Sequence, residues 1–245
     1  MDLSSASGQN GRNWDSNRDE SQYISDADRV KIMAMRDIVE KDCPRSKVAD
    51  DATLRRFLYA RDSNVQNASE LYIKYRKWRQ TFVPDGYISE TVIRNELKKN
   101  MVCMQGSDKK GRPIAVVFLN RHIPCHKDLE NFKRYFVYCF DKMSSSASRG
   151  QEKFAIIGDL EGWKYKHMDI RGYLAVLEIM QSYYPERLGN LYLIHVPYVF
   201  WAAWKLIYPF IDKKTKEKIL IVDDKDIRTT LLNDIDENRL PAIYG

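Results

Sequence analysis

Residues 183–221 read YYPERLGNLYLIHVPYVFWAAWKLIYPFIDKKTKEKILI, and this stretch decides the fold. A Tyr-Tyr-Pro-Glu-Arg turn leads into Leu191–Val196, an apolar run of the length and character of a buried strand. Pro197 then admits a second apolar block. Between Tyr198 and Ile211 the only charge is Lys205, set among Phe200, Trp201, Trp204, Leu206, Ile207, Tyr208 and Phe210. A basic segment follows from Asp212 to Lys218, and Ile219–Val222 reads as another buried strand. A helix that is apolar all round is either enclosed by protein or faces something other than water. Two readings stay open for this one: a core helix of a large α/β domain, or a lid over a lipid-sized cavity. A membrane span is rejected. Pro197 and Pro209 break the run, His195 and Lys205 lie inside it, and each helical piece is too short for a hydrocarbon core of ~30 Å.

Working outward, strands alternate with helices, which implies a mainly parallel sheet. Phe154–Ile157 reads as a strand ending in Gly158-Asp159, and 169–182 as a helix capped by Asp169. Upstream, 128–143 has the pattern of an amphipathic helix. Met101–Gln105 and Ile114–Leu119 read as strands joined by the polar turn 106–113. Before that the pattern is helical: from Asp26 to about Cys43, after Asp50-Asp51, over 65–82 and over 89–99. Residues 1–24, rich in Ser, Asn, Gly and Asp, read as a disordered tail. The division expected is therefore 1–24 tail, 25–99 helical lobe and 100–245 sheet domain, with a last helix over 227–235.

At 245 residues and 44% hydrophobic, the chain can bury a full core. Mean hydropathy of −0.54 and 30% charged residues describe a soluble protein. The net charge of +6 suits a membrane surface, though basicity alone is a weak guide. Four widely spaced cysteines form no CxxC pair, and the polar start has no apolar leader, so a cytoplasmic, reducing location is expected. His122-x-x-Cys125-His126 crowds its ligands in one loop and is not read as a metal site. No GxSxG, phosphate-loop or GxGxxG pattern occurs, so no enzyme activity and no cofactor is expected. The aromatic residues follow helix and strand periods rather than a basic platform, which argues against nucleic acid.

Several segments, in order, resemble the CRAL-TRIO family of lipid-binding proteins, in particular its phosphatidylinositol transfer branch. They are Leu54-Arg55-Arg56-Phe57-Leu58-Tyr59-Ala60-Arg61, Gly111-Arg112-Pro113, Asp159-Leu160-Glu161-Gly162, Tyr184-Pro185-Glu186-Arg187, Pro209 to Lys218, and the closing Leu240-Pro241-Ala242-Ile243-Tyr244-Gly245. The resemblance covers about residue 26 to the end. It implies an α/β fold, with an N-terminal helical tripod on a five-stranded mixed sheet, flanking helices, a lipid pocket and a mobile gate helix at about 198–208. It implies a monomer that binds phosphatidylinositol, visits membranes and transfers or presents the lipid. The headgroup residues it implies are Arg61, Glu186, Thr215 and Lys218. The gate and pocket residues are Phe154, Ile156, Phe200, Trp201, Trp204, Leu206, Ile207 and Phe210.

Two positions depart from the family pattern. Members that also exchange phosphatidylcholine carry small hydroxyl residues where this chain has Phe154 and Ile156. Asp62 stands where close relatives often have Lys, removing a positive charge near the expected headgroup. Two other readings stay open: a carrier of a neutral hydrophobe, favoured by Phe154 and Ile156, and a membrane-associated scaffold recruiting a lipid kinase or small GTPase through the basic segment 213–218.

Overall fold

The structure, a computed structural model, describes residues 24–42, 49–125, 128–148 and 150–244. The tail expected over 1–24 lies outside the described residues but for Ile24. Helices α1 (Asp26–Asp42), α2 (Asp51–Tyr59) and α3 (Val65–Phe82) form the helical lobe. Asp50 and Asn64 cap α2 and α3, their side chains accepting from the Thr53 and Asn67 amides at 2.8 and 2.9 Å. Both caps satisfy amides that have no partner within the helix. The three helices share one core of Ile32, Met35, Val39, Leu54, Phe57 and Leu58, closed by the α3 residues Ala68, Leu71 and Tyr72. α4 (Arg94–Lys98) is shorter than the 89–99 helix expected. Its N-terminus has no side-chain cap, and Asn100 turns left-handed just beyond it.

The sheet is built from β1 (Val102–Ser107), β2 (Pro113–Phe118), β3 (Phe154–Asp159), β4 (Leu188–Ile194) and β5 (Ile219–Ile221), in that spatial order. β1 and β2 pair antiparallel as a hairpin, and the remaining pairs are parallel, so the sheet is mixed as expected. The crossovers carry α5 (Leu129–Ser146), α6 (Ile170–Tyr183), and the pair α7 (Phe200–Ile207) and α8 (Lys213–Lys216), with α9 (Ile227–Asp234) closing the chain. The alternation of β3 sorts its side chains. Phe154 and Ile156 face α5 and α6, while Ala155 and Ile157 face α9 with Tyr192, Ile194 and Leu231. Burying a side chain of this size contributes roughly 1.5–3 kcal/mol.

The polar β1–β2 turn is anchored more deeply than its composition implies. Asp108 and Arg112 are 2% and 5% exposed. The Asp108 carboxylate accepts from the Lys110 and Arg112 amides (2.9 and 2.8 Å) and from the Arg112 guanidinium. Arg112 lies against Gly189 of β4, where a Cβ would stand 2.7 Å from its Nη1. The Gly-Arg-Pro motif is thus a structural clamp between the hairpin and the middle of the sheet.

Two elements differ from the reading of the sequence. β5, expected to be buried, is the sheet edge, with Leu220 and Ile221 both 38% exposed. The apolar helix is two-sided. Phe200 and Ala203 of α7 are buried against Leu160, Trp163 and Leu193, and Ile207 is buried on the same helix, whereas Trp201 and Leu206 point outward, as do Tyr198, Tyr208 and Phe210 beside it. Pro209 ends α7 and carries the chain into a single 3-10 turn, Tyr208–Phe210. Among the described residues no helix is long and apolar enough to cross a membrane.

Candidate ligand-binding cavity

The Tyr183–Ile221 stretch meets the helical lobe around a cavity of about 650 Å³. Three separate segments line it: Ala60, Arg61 and Asp62 after α2, the end of α6 from Met180 with Tyr184 to Glu186 and Leu188 beyond it, and Asp212 to Thr215 with Glu217 and Lys218 around α8. Each is held in place by identifiable bonds.

The Tyr184–Arg187 turn is pinned from behind. The Tyr184 hydroxyl donates to Asp141 at 2.7 Å, and Arg79 grips both oxygens of the same carboxylate at 2.9 Å. Burial, then the Asp141 charge, pushes the Tyr184 phenol well above its ordinary value, so it stays a donor. Pinned at Tyr184, the chain reverses through Glu186 with φ +56, a left-handed backbone uncommon for any residue but glycine. The α8 segment is held by α6. Gln181 accepts from the Asp212 amide at 2.8 Å and donates to the Phe210 carbonyl at 3.3 Å. Asp212 caps α8, accepting from the Thr215 amide and hydroxyl, both at 2.8 Å.

The four expected headgroup residues, Arg61, Glu186, Thr215 and Lys218, all line this cavity. Lys218 donates to Glu186 at 3.1 Å, with both side chains about four-fifths buried (21% and 19% exposed). Arg61 donates to the Ala60 carbonyl at 2.8 Å. The Thr215 hydroxyl is committed to Asp212, so it would have to turn before it could donate to a ligand. This set combines cations able to meet a phosphate with acceptors able to meet hydroxyls.

The gate and pocket set lies elsewhere. None of Phe154, Ile156, Phe200, Trp201, Trp204, Leu206, Ile207 and Phe210 lines this cavity. Phe154 and Ile156 are 1% and 7% exposed in the packed layer under α5 and α6, with Phe154 stacked on Phe140 at 5.8 Å. Phe200 and Ile207 face inward, Trp204 is half-buried against Phe200, and Trp201, Leu206 and Phe210 are on the surface.

Reading the sequence missed Asp62 and Lys214 as a pair. Their charges meet at 2.7 Å across the cavity mouth, and Lys214 also donates to the Tyr59 carbonyl. It also missed the joint behind them, where Arg55 and Arg56 of α2 both reach Glu152, just before β3. Neither joint had a visible signal, because the partners lie far apart in the chain.

The remaining titratable clusters are paired internally, except that the buried Nδ1 of His122 has no hydrogen-bond partner. His195, left-handed at φ +51, contacts Asp159 at 2.9 Å, and the second Asp159 oxygen accepts from Tyr244 at 2.7 Å. Asp159, Glu161 and His195 bring potential metal-ligating atoms within 4.8 Å of one another, but these bonds already occupy Asp159. His122 is buried against Asp169 at 2.8 Å, and His126 lies outside the described residues. Cys103, Cys125 and Cys139 are free thiols, with that of Cys139 pushed up to about 12 by burial.

Comparison with known proteins fits this architecture. The chain is 32% identical over 214 residues to the Sec14 cytosolic factor of Schizosaccharomyces pombe, covering 80% of this chain and 74% of that protein. It is 28% identical to the phosphatidylinositol/phosphatidylcholine transfer protein SFH7 of Arabidopsis thaliana, over 91% of this chain and 44% of that one. It is also 28% identical to a CRAL-TRIO domain-containing protein of Caenorhabditis elegans, of which it spans only 30%. Among solved structures, Sfh5 superposes with a TM-score of 0.65 at 17% identity, covering 91% of this chain and 95% of that one, which speaks to the fold alone. The model of the CRAL/TRIO domain matches residues 97–245, which include the whole sheet and two of the three walls of the cavity. The chain belongs to the CRAL/TRIO domain family of lipid-binding proteins.

Proposed function

We propose that the chain binds the phosphatidylinositol headgroup in this cavity, shelters the acyl chains behind α7, and transfers or presents the lipid at membrane surfaces from the cytosol, as a monomer without enzymatic activity. The observation that carries the reading is the convergence of Arg61, Glu186, Thr215 and Lys218 from three segments on one cavity of about 650 Å³. Arg61 and Lys218 meet the phosphodiester, while Glu186 orients Lys218 and accepts from inositol hydroxyls. Each sheltered methylene is worth ~0.8 kcal/mol against water, but a bilayer offers the same gain. The acyl chains therefore contribute little preference for protein over membrane, and selection rests on the headgroup. The outward Trp201, Leu206 and Phe210, flanked by Lys205, Lys213 and Lys216, supply an apolar face with a basic border suited to an anionic bilayer.

A second reading, a neutral hydrophobe as cargo, draws on Phe154 and Ile156. They leave the face of β3 toward α5 and α6 without a hydroxyl at these two positions.

The test is mass spectrometry of lipid retained after incubation with mixed phospholipid vesicles. The expected result is about one phosphatidylinositol per chain, falling more than tenfold in Glu186→Ala/Lys218→Ala, since each charge-assisted bond is worth about 1.5–3 kcal/mol. Removing both partners avoids leaving one largely buried charge alone, so the double variant keeps its fold. Full retention of phosphatidylinositol in that variant sinks the reading. A neutral hydrophobe recovered in place of phospholipid moves it to the second.

A further inference from the structure

The mouth of the cavity is electrically balanced. Arg61, Lys213, Lys214 and Lys218 contribute four cations, and Asp62, Glu186, Asp212 and Glu217 four carboxylates. The pairing is specific. Lys218 is held by Glu186 at 3.1 Å and Lys214 by Asp62 at 2.7 Å, while Asp212 is engaged as the cap of α8. Asp62 sits on the opposite wall from α8, at the left-handed turn leaving α2 (φ +50), with its side chain 88% exposed. Lys214 reaches across to that wall, also donating to the Tyr59 carbonyl. Arg61, next to Asp62, bonds the Ala60 carbonyl and makes no ion pair among the described residues.

We propose that Asp62, through its pair with Lys214, sets headgroup selectivity: the cavity admits an inositol lipid carrying one phosphodiester charge and rejects those carrying further phosphomonoester groups. The inference rests on the phosphatidylinositol reading above and adds to it which inositol lipids are excluded. A phosphodiester brings one negative charge, which Arg61, beside Lys218, meets; of the four lining cations only Arg61 and Lys213 make no ion pair among the described residues, too few for a further doubly charged group. Each phosphomonoester adds about −1.5 to −2 charge at pH 7 and needs cations of its own. Lys214 is the α8 cation that reaches across to the opposite wall, and Asp62 already occupies it. Asp62 also turns its own negative charge toward any incoming phosphate, and like-charge placement of this kind discriminates between ligands. As an exposed ion pair, Asp62–Lys214 contributes little to folding, so its substitution alters selectivity with the fold intact.

The experiment loads the full chain from phosphatidylcholine vesicles holding equal amounts of phosphatidylinositol and phosphatidylinositol 4-phosphate, at ~0.1 M salt. Bound lipid is extracted and quantified for wild type, Asp62→Asn and Asp62→Lys, with circular dichroism checking the fold of each. Wild type is expected to retain phosphatidylinositol in large excess. Asp62→Lys lowers that ratio about five- to tenfold, and Asp62→Asn lowers it less, since reversal removes one repulsion and adds one attraction. At ~1 M salt, where the screening length is ~3 Å, the difference between variants shrinks. Equal loading of both lipids by wild type, or an unmoved ratio in Asp62→Lys, overturns the selectivity proposal while phosphatidylinositol binding stands. A wild-type chain that loads neither lipid overturns the underlying reading and the proposal with it.

Discussion

Glu152→Ala is expected to destabilise the protein by about 3 kcal/mol, near the lower end of what breaking a buried ion pair costs. Arg55 and Arg56 are only 9% and 8% exposed, and both bond the Glu152 carboxylate. Arg187 completes the cluster, donating to the Glu152 carbonyl at 2.8 Å. Burial, and then the Arg56 charge, draws the Arg187 guanidinium down to about 10. Glu152 is the one carboxylate bonded to Arg55 and Arg56 among the described residues. Its removal leaves their charges crowded and poorly solvated beside that of Arg187, and that penalty exceeds the loss of the bonds themselves. The joint ties α2 to the start of β3, so urea denaturation should show a lower midpoint and a broadened transition as the lobe separates from the sheet. A triple change, Glu152→Leu with Arg55→Leu and Arg56→Met, should recover part of the loss, because an apolar replacement needs no charge compensation. A midpoint shift worth less than about 1 kcal/mol in Glu152→Ala would mean that solvent reaches the cluster and screens it.

Trp163→Ala is expected to cost about 3–5 kcal/mol, as large-to-small changes of a fully buried aromatic do. Trp163 is 2% exposed, packs edge-on against Phe200 at 5.9 Å, and donates from Nε1 to the Tyr173 hydroxyl at 3.2 Å. It is the support under α7. A cavity left there removes the contact of Phe200, whose helix has only Ala203 and Ile207 as its other fully buried residues. The loss should therefore be uneven. Amide protection over 200–207 should fall before that of β3 and β4 changes, which hydrogen exchange would register. Trp163→Phe should restore most of the protection. Unchanged protection in α7 on truncation to alanine would separate this helix from the core beneath it.

How much of this was legible in the sequence depended on whether the signal was local. Asp50, Asn64 and Asp169 each cap a helix from inside a short motif, and α3 was read to its observed limits, Val65–Phe82. Helix α1 was read less well. Its pattern offers Val30, Ile32, Met33, Met35, Ile38 and Val39 as one broad apolar stripe, yet Val30 and Met33 are 68% and 67% exposed, and the buried face is Ile32, Met35 and Val39. Six apolar residues over ten positions do not say which three will be covered. The headgroup residues were found only through family resemblance, since Arg61, Glu186 and Lys218 carry no local pattern that separates them from surface charge. Asp62–Lys214 and Arg55/Arg56–Glu152 exist only once the chain has folded, because each pairs residues about a hundred or more positions apart.

The left-handed backbone at Glu186 sets stability and binding against each other. A glutamate in that conformation costs roughly 1–2 kcal/mol relative to glycine, which adopts it freely. In a Lys218→Met background, where no buried ammonium is left alone, Glu186→Gly should therefore raise the melting temperature while removing the headgroup carboxylate. Screened for thermal robustness alone, a library of this chain would enrich that substitution and discard the headgroup acceptor first. Directed evolution of a hardier variant needs a lipid-loading step in every round, or the selected protein will be sturdier and empty.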